Sequence, residues 1–445
     1  MSRRTSSPAR LATVVIALGA LLLGAAGPAT AGHADDPRSS NLHPLGHIVE
    51  PASLLTGPPT IHTDIAFWGK LAFQGNWLGF NIRDISAPGN PKQISFTECT
   101  GNQGDVIIWD DVLVRSWNSP ATAGATCDGE AVPVGFEGLH VFDVSDVKDP
   151  ELVASVDLSN GSIPGRCGSH TATGVPDEGD DRLLVYNSGS QCDGFDVVEV
   201  PLDDPEEATY LRTEPAGRHC HDTGVILGDI ELTACAGDDG YTLWDISDSL
   251  EDPEQIDSVV VPGVGIGHSV QFSNDGEVIV FGHEPGGGVQ AACQTTNPDA
   301  DKSYFFYDTE EGELLGTWVL PRPQTNIENC TLHNFNIVPM KNDRDILVHG
   351  SYQAGTGVVD FTDPANPVEL AYTDPPPIPP PGGPFCGGTG CEIGGVWSSY
   401  WYNGLIYETN ITEGLNIYRY SGSETAKAAK LGHLNPQTQE FTRDD

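Results

Sequence analysis

Residues 218–248 read RHCHDTGVILGDIELTACAGDDGYTLWDISD, and this stretch constrains the fold more than any other. It opens on Cys220-His221 and runs into the apolar triplet Val225-Ile226-Leu227. A Gly228-Asp229 turn leads to a second run that ends at Cys235, and the loop 236–240 leads to the third, Tyr241-Thr242-Leu243-Trp244-Asp245-Ile246. Three short apolar runs with Gly/Asp turns between them predict an antiparallel meander. A fourth strand is expected over 254–261, after Asp252-Pro253. One small sheet of this kind cannot cover both of its faces, so it needs copies of itself to pack against.

The chain supplies them. The third run recurs as GFNIRDIS ending its strand at Asp84 and as GLHVFDVS at Asp143, with weaker copies closing at Glu199, Asp308, Asp360 and Arg419. With Asp245 these make seven occurrences, spaced 46 to 63 residues apart. An Asx-Pro pair introduces the fourth strand in five of them, at Asn90-Pro91, Asp149-Pro150, Asp204-Pro205, Asp252-Pro253 and Asn366-Pro367. An Asp that closes a strand can accept backbone N–H groups of the next turn, and Pro begins an edge strand without wasting a donor. The expected fold class is all-β: a seven-bladed β-propeller of four-stranded antiparallel blades.

At these third-strand motifs, over residues 60–420, the chain resembles the LVIVD-repeat proteins. The resemblance implies a secreted or surface β-propeller. It implies no catalytic residues.

The termini read differently from the repeats. Residues 1–31 carry Arg3, Arg4 and Arg10, an apolar stretch and Ala29-Thr30-Ala31, the pattern of a cleaved signal peptide. Residues 32–55 form an N-terminal segment. Its NLHPLGHIVEP stretch reads as a stray fourth strand, expected to complete the seventh blade and close the ring, with residues 429–435 as the competitor for that place. The propeller is assigned to 56–435 and a tail to 436–445. The formal net charge of −42 repels nucleic acid and anionic lipid. No second apolar run is long enough to span a membrane. The expectation is an exported monomer, secreted or at the cell surface, with a small molecule, glycan or protein as partner.

Ten cysteines in an exported chain predict five disulfides. Cys99, Cys167, Cys220 and Cys330 each start a first strand, and Cys127, Cys192, Cys235 and Cys293 each end a second. The expected pairs are Cys99–Cys127, Cys167–Cys192 and Cys220–Cys235 within blades. Cys293–Cys330 would bridge neighbouring blades, and Cys386–Cys391 would close a local loop beside the proline-rich stretch 375–384.

No nucleophile elbow, HExxH or phosphate loop is present. The glycines of 263–267 precede a strand instead of a helix and are set aside as a nucleotide loop. Histidine placement is the feature that carries chemistry. His62, His170, His221, His268 and His333 fall at one register, the start of a first strand, and Gln103 takes that place in blade two. These six are the candidate metal ligands, because neutral imidazoles converging from rigid strands suit a transition metal. Asp222, His283 and His349 are candidates for an outer shell. The cofactor expected is one divalent ion (Zn, Mn, Fe or Cu), or none. Two functions follow: a binding platform with a histidine-rich channel mouth, or a metal-dependent lyase or oxidoreductase working there. The competing structural role for each histidine is to pin its blade through a neighbouring Asp.

Overall fold

The computed structural model describes residues 34–49, 61–378 and 393–443. Seven antiparallel four-stranded sheets form the expected ring. From the channel outward, blade one is His62–Trp68, Leu71–Asn76, Gly79–Asp84 and Lys92–Glu98. The inner strands of blades two to seven are Val106–Trp109, Thr171–Asp177, Asp222–Ile226, Gly267–Phe272, Phe335–Ile337 and Val396–Tyr402. Helical structure among the described residues is confined to two short turns, Pro205–Glu207 and Asp299–Lys302.

The turn chemistry that marks the repeat is present atom for atom. Oδ1 of Asp84, Asp143, Asp245, Asp308 and Asp360 each accepts the backbone N–H two residues on, at 2.8–3.0 Å. Tryptophans fill the seams between blades. Trp68 of blade one meets Trp109 of blade two edge-on at 5.6 Å, and Trp244 of blade four meets Phe195 of blade three at 5.3 Å.

The N-terminal segment closes the ring as expected. Leu42–Ile48 pairs antiparallel with Gly414–Tyr420 and is the outer strand of blade seven. The competing segment has another role. His433–Leu434 adds to the inner strand of blade one, and Thr438–Gln439 runs parallel to that of blade four. The tail behaves as a strap across the channel. Asn435 Nδ2 donates to Ile108 O while Ile108 N donates to Asn435 Oδ1, so an amide side chain acts as a strand partner for blade two. Gln439 does the same with Phe272 of blade five. Thr438 Oγ1 reaches Gly174 O in blade three, Ala428 bridges to Met340 in blade six, and Leu431 bonds Asn403 in blade seven. All seven blades are tied by one segment, mostly at the far ends of the inner strands.

Four disulfides form as expected: Cys99–Cys127, Cys167–Cys192, Cys220–Cys235 and Cys293–Cys330. Three were expected to lie within single blades. Each joins the residues just before a blade's first strand to the second strand or second-to-third-strand loop of that same blade. Cys386 and Cys391, the signal segment and most of the proline-rich stretch lie outside the described residues.

The tail should contribute measurably to stability. Asn435→Ala removes two buried hydrogen bonds and leaves both backbone groups of Ile108 without them, a loss of about 1–3 kcal/mol. Urea denaturation of the variant should show a lower midpoint at unchanged slope, and deletion of 422–445 a larger fall. A parent-like midpoint for Asn435→Ala would show that the strap does not brace the ring.

Candidate functional site

The inner strands all run the same way along the channel, so their starts gather at one end. A cavity of about 780 Å³ opens there. His170, His221, His268 and His333 line it, with Gln103 and Asp222. The four imidazoles form a continuous arc, with ring centroids 4.5, 4.1 and 4.4 Å apart in that order.

His62 stands apart from the arc. It is buried at the start of its strand, does not line the cavity, and feels the charge of Arg83. His283 braces the long loop of blade five: its Nδ1 meets Ala300 O at 3.1 Å, and its Nε2 accepts from Gly265 N at 3.2 Å. His349 packs against Tyr304 and Trp318, with Nδ1 2.8 Å from Ser351 Oγ. Neither lines the cavity. An Asp partner of the blade-pinning kind belongs to His219 at the rim, whose Nδ1 lies 3.1 Å from Asp238.

The residue that completes the arc is Glu284, the first residue of that long loop. One ring nitrogen of His221, one of His268 and one carboxylate oxygen of Glu284 lie within 4.8 Å of one another. His268 Nε2 is 3.6 Å from Glu284 Oε2, and His333 Nε2 is 3.4 Å from Oε1. The tautomer of His333 follows from its other ring nitrogen: Nδ1 faces the carbonyl of Trp397, so it carries the proton and Nε2 presents its lone pair to Glu284. His268 Nδ1 lies 2.6 Å from Ser269 Oγ, which is also 3.2 Å from His333 O. On the far side Tyr352 Oη donates to Glu284 Oε1 at 2.6 Å.

Burial sets the protonation. It pushes His170 down to about 4 and His333 to about 3, and His221 and His268 well below the usual imidazole range. The same cause lifts Glu284 to about 7, and lifts Asp105 and Asp222 well above the carboxylate range. These seven groups are held toward their neutral forms.

Backbone strain gathers here as well. Gln103, Ser190, Asp238 and Tyr352 have φ between +44° and +58°, and all four line the cavity. For a bulky residue such as Tyr352 this region is unfavourable. Its conformation is held by reciprocal backbone bonds with Val396, which join blades six and seven. Gly288 of the blade-five loop allows the close approach: a Cβ there would stand 2.1 Å from Tyr352 Oη and 2.7 Å from Glu284 Oε1.

The sequence reading missed Glu284, Tyr352 and Asp105. Glu284 had a signal, since it opens one of the two long loops and follows His283 directly. The other long loop, in blade two, folds into a small hairpin, Thr126–Cys127 with Glu130–Ala131, away from the cavity. Gly265 and Gly267, set aside as a nucleotide loop, do line it.

No protein-family model matches the chain, and no curated protein matches it. Solved structures were also compared. Raptor from Chaetomium thermophilum aligns at 11% identity and a TM-score of 0.49, over 88% of this chain and 30% of that one. The computationally designed Ika8 protein aligns at 12% identity and 0.43, over 84% and 99%. The chain thus spans under a third of the Raptor chain's length. Likenesses at this level carry nothing about function.

Glu284 makes a testable demand on stability. Its folded pKa lies above its unfolded one, so its effect is fully favourable below about pH 4.5 and is lost as pH rises through 7. The loss reaches about 3 kcal/mol in the ligand-free protein. Glu284→Gln, which stays neutral, should be more stable than the parent at pH 8 and no more stable near pH 4.5. Denaturation at both pH values checks this; equal stability at pH 8 would show that Glu284 is not held neutral.

Proposed function

We propose that this propeller binds one divalent transition metal at the channel mouth and presents it to a small molecule in the cavity. His221, His268 and Glu284 are the core ligands, with His333 beside them. The observation that supports this is the convergence of two imidazole Nε2 atoms on Glu284. Two nitrogens and a carboxylate at 3.4 and 3.6 Å are too far apart for strong hydrogen bonds. Donor atoms around a tetrahedral ion with bonds of about 2.1 Å stand roughly 3.4 Å apart. The Nδ1 bonds to Trp397 O and Ser269 Oγ are the outer partners that orient metal-bound imidazoles.

A His/Glu set facing a cavity leaves ligand positions open, as catalytic metal sites do. Such an ion could polarise a bound oxygen or take part in electron transfer, which keeps both the lyase and the oxidoreductase readings. The chain's own contributions are distinct. Glu284 supplies the negative charge, Tyr352 fixes its orientation, and the strapped far end of the channel directs ligands to one face. The fold suits a binding platform in general, and without a metal the histidines would serve as blade pins. Four disulfides among the described residues point to an oxidising compartment. No helix among the described residues is long and apolar enough to cross a membrane. Export through residues 1–31 and kinship with LVIVD-repeat propellers are part of the same reading, on the grounds of the leader pattern and the third-strand motif.

Calorimetric titration of chelator-stripped protein with Zn²⁺, Mn²⁺, Fe²⁺ and Cu²⁺ tests the proposal. One equivalent of at least one ion should bind, and His221→Ala or His268→Ala should weaken it at least a hundredfold with the circular dichroism unchanged. Because the imidazoles are already neutral, the proton that competes near neutrality sits on Glu284. Affinity should fall about tenfold per pH unit below 7, and Glu284→Gln should flatten that slope. Substoichiometric binding by every ion, together with histidine variants that simply unfold, would identify the histidines as blade pins.

A further inference from the structure

We propose that the cavity takes a small organic cation, a protonated amine on an apolar body, with its ammonium group held by Asp105 and Asp222. This rests on the cavity being a ligand site, as proposed above, but not on a metal being bound.

The lining shows the charge it favours. Asp105, Asp222, Asp238 and Glu284 line the cavity, and among the described residues no lysine or arginine does. An anion would find no cationic side chain there. Asp105 and Asp222 are 3% and 5% exposed, and Oδ1 of each is buried without a hydrogen-bond partner. Arg115, which stands behind Asp105, donates instead to the carbonyls of Asn76, Gly101 and Ser116. Buried carboxyl oxygens without partners are costly, and an ammonium group brings up to three donors that relieve the deficit.

The walls show what carries the charge. Ile61, Leu78, Ile411, Trp77 and Trp397 make much of the surface. Trp77 is 38% exposed, unusual for so large an apolar side chain. Indole faces attract organic cations and accept apolar bodies alike. The net charge of −42 adds a long-range field that concentrates cations at the surface.

Three probes of one shape decide the matter: benzylammonium, benzyl alcohol and benzoate, titrated calorimetrically into chelator-stripped protein at pH 7. Benzylammonium should bind at least tenfold more tightly than benzyl alcohol, and benzoate should show no heat of binding. In the Asp105→Asn, Asp222→Asn double variant, benzylammonium should fall to the level of benzyl alcohol. Equal binding of amine and alcohol overturns the cation proposal while leaving the cavity a ligand site. No binding by any probe overturns both. Amine binding that returns only with metal, and is unchanged in the double variant, assigns the amine to the ion and also overturns it. The probe comparison needs no substitution, so it decides even where the double variant fails to fold. Metal content, measured separately, reports on the metal centre alone.

Discussion

The structure depends on closing a ring of sheets that cannot stand alone. Each blade buries its faces against two neighbours, so the first and last blades must meet or both lose a partner. The chain closes the ring twice. Leu42–Ile48 completes blade seven through strand pairing, and Leu42 itself lies in the apolar seam between blades six and seven. The tail then stitches the channel end with side-chain amides that imitate backbone, at Asn435 and Gln439. An amide side chain suits this task because it has one donor and one acceptor, as a strand does.

The site is a consequence of that closure. Inner strands that start at one end bring their first residues together from blades far apart in sequence. His170, His221, His268 and His333 come from the starts of blades three to six, and ring packing alone sets them 4.1–4.5 Å apart. Ring closure also dries them. Burial is the first cause of every pKa displacement in the arc. Imidazoles and carboxyls that would attract one another as ions are held neutral instead. At the opposite end of the channel the strap reaches another buried carboxyl group, where Gln437 Nε2 donates to Asp64 at 2.8 Å.

What could be read in the sequence was whatever repeats. Asp84, Asp143 and Asp245 announce their turns because each bonds within two residues of itself, and local bonds leave local patterns. Histidine register was legible for the same reason, although His62 shows its limit. A register gives the position along a strand, not which way a side chain faces, and His62 lies off the cavity. The disulfide pairs were legible as pairs. Glu284 and Tyr352 were hidden because neither belongs to the repeat. One sits in an inserted loop and the other after a second strand, and their 2.6 Å bond joins residues 68 apart. The strap was hidden for a related reason. A segment that ties seven different blades through amides, bridges and two-residue strands has no periodicity of its own.

The unsatisfied groups are the last point of synthesis. A ring this regular could fill its channel with apolar side chains, as it does in the seams around Trp68, Trp109 and Trp244. At the mouth it instead places Nδ1 of His170 and His221 and Oδ1 of Asp105 and Asp222 in buried positions without protein partners. Four cavity-lining residues are in left-handed backbone conformations there, each at a cost of about 1–3 kcal/mol. His219 at the rim, by contrast, faces Asp238 at 3.1 Å. Where unsatisfied groups line a cavity, a partner from outside the chain can meet them. The separation of the groups suggests two kinds of partner. Imidazole nitrogens converge on Glu284, where an ion can be shared, whereas Asp105 and Asp222 face the cavity on their own, where a molecule must bring its own charge.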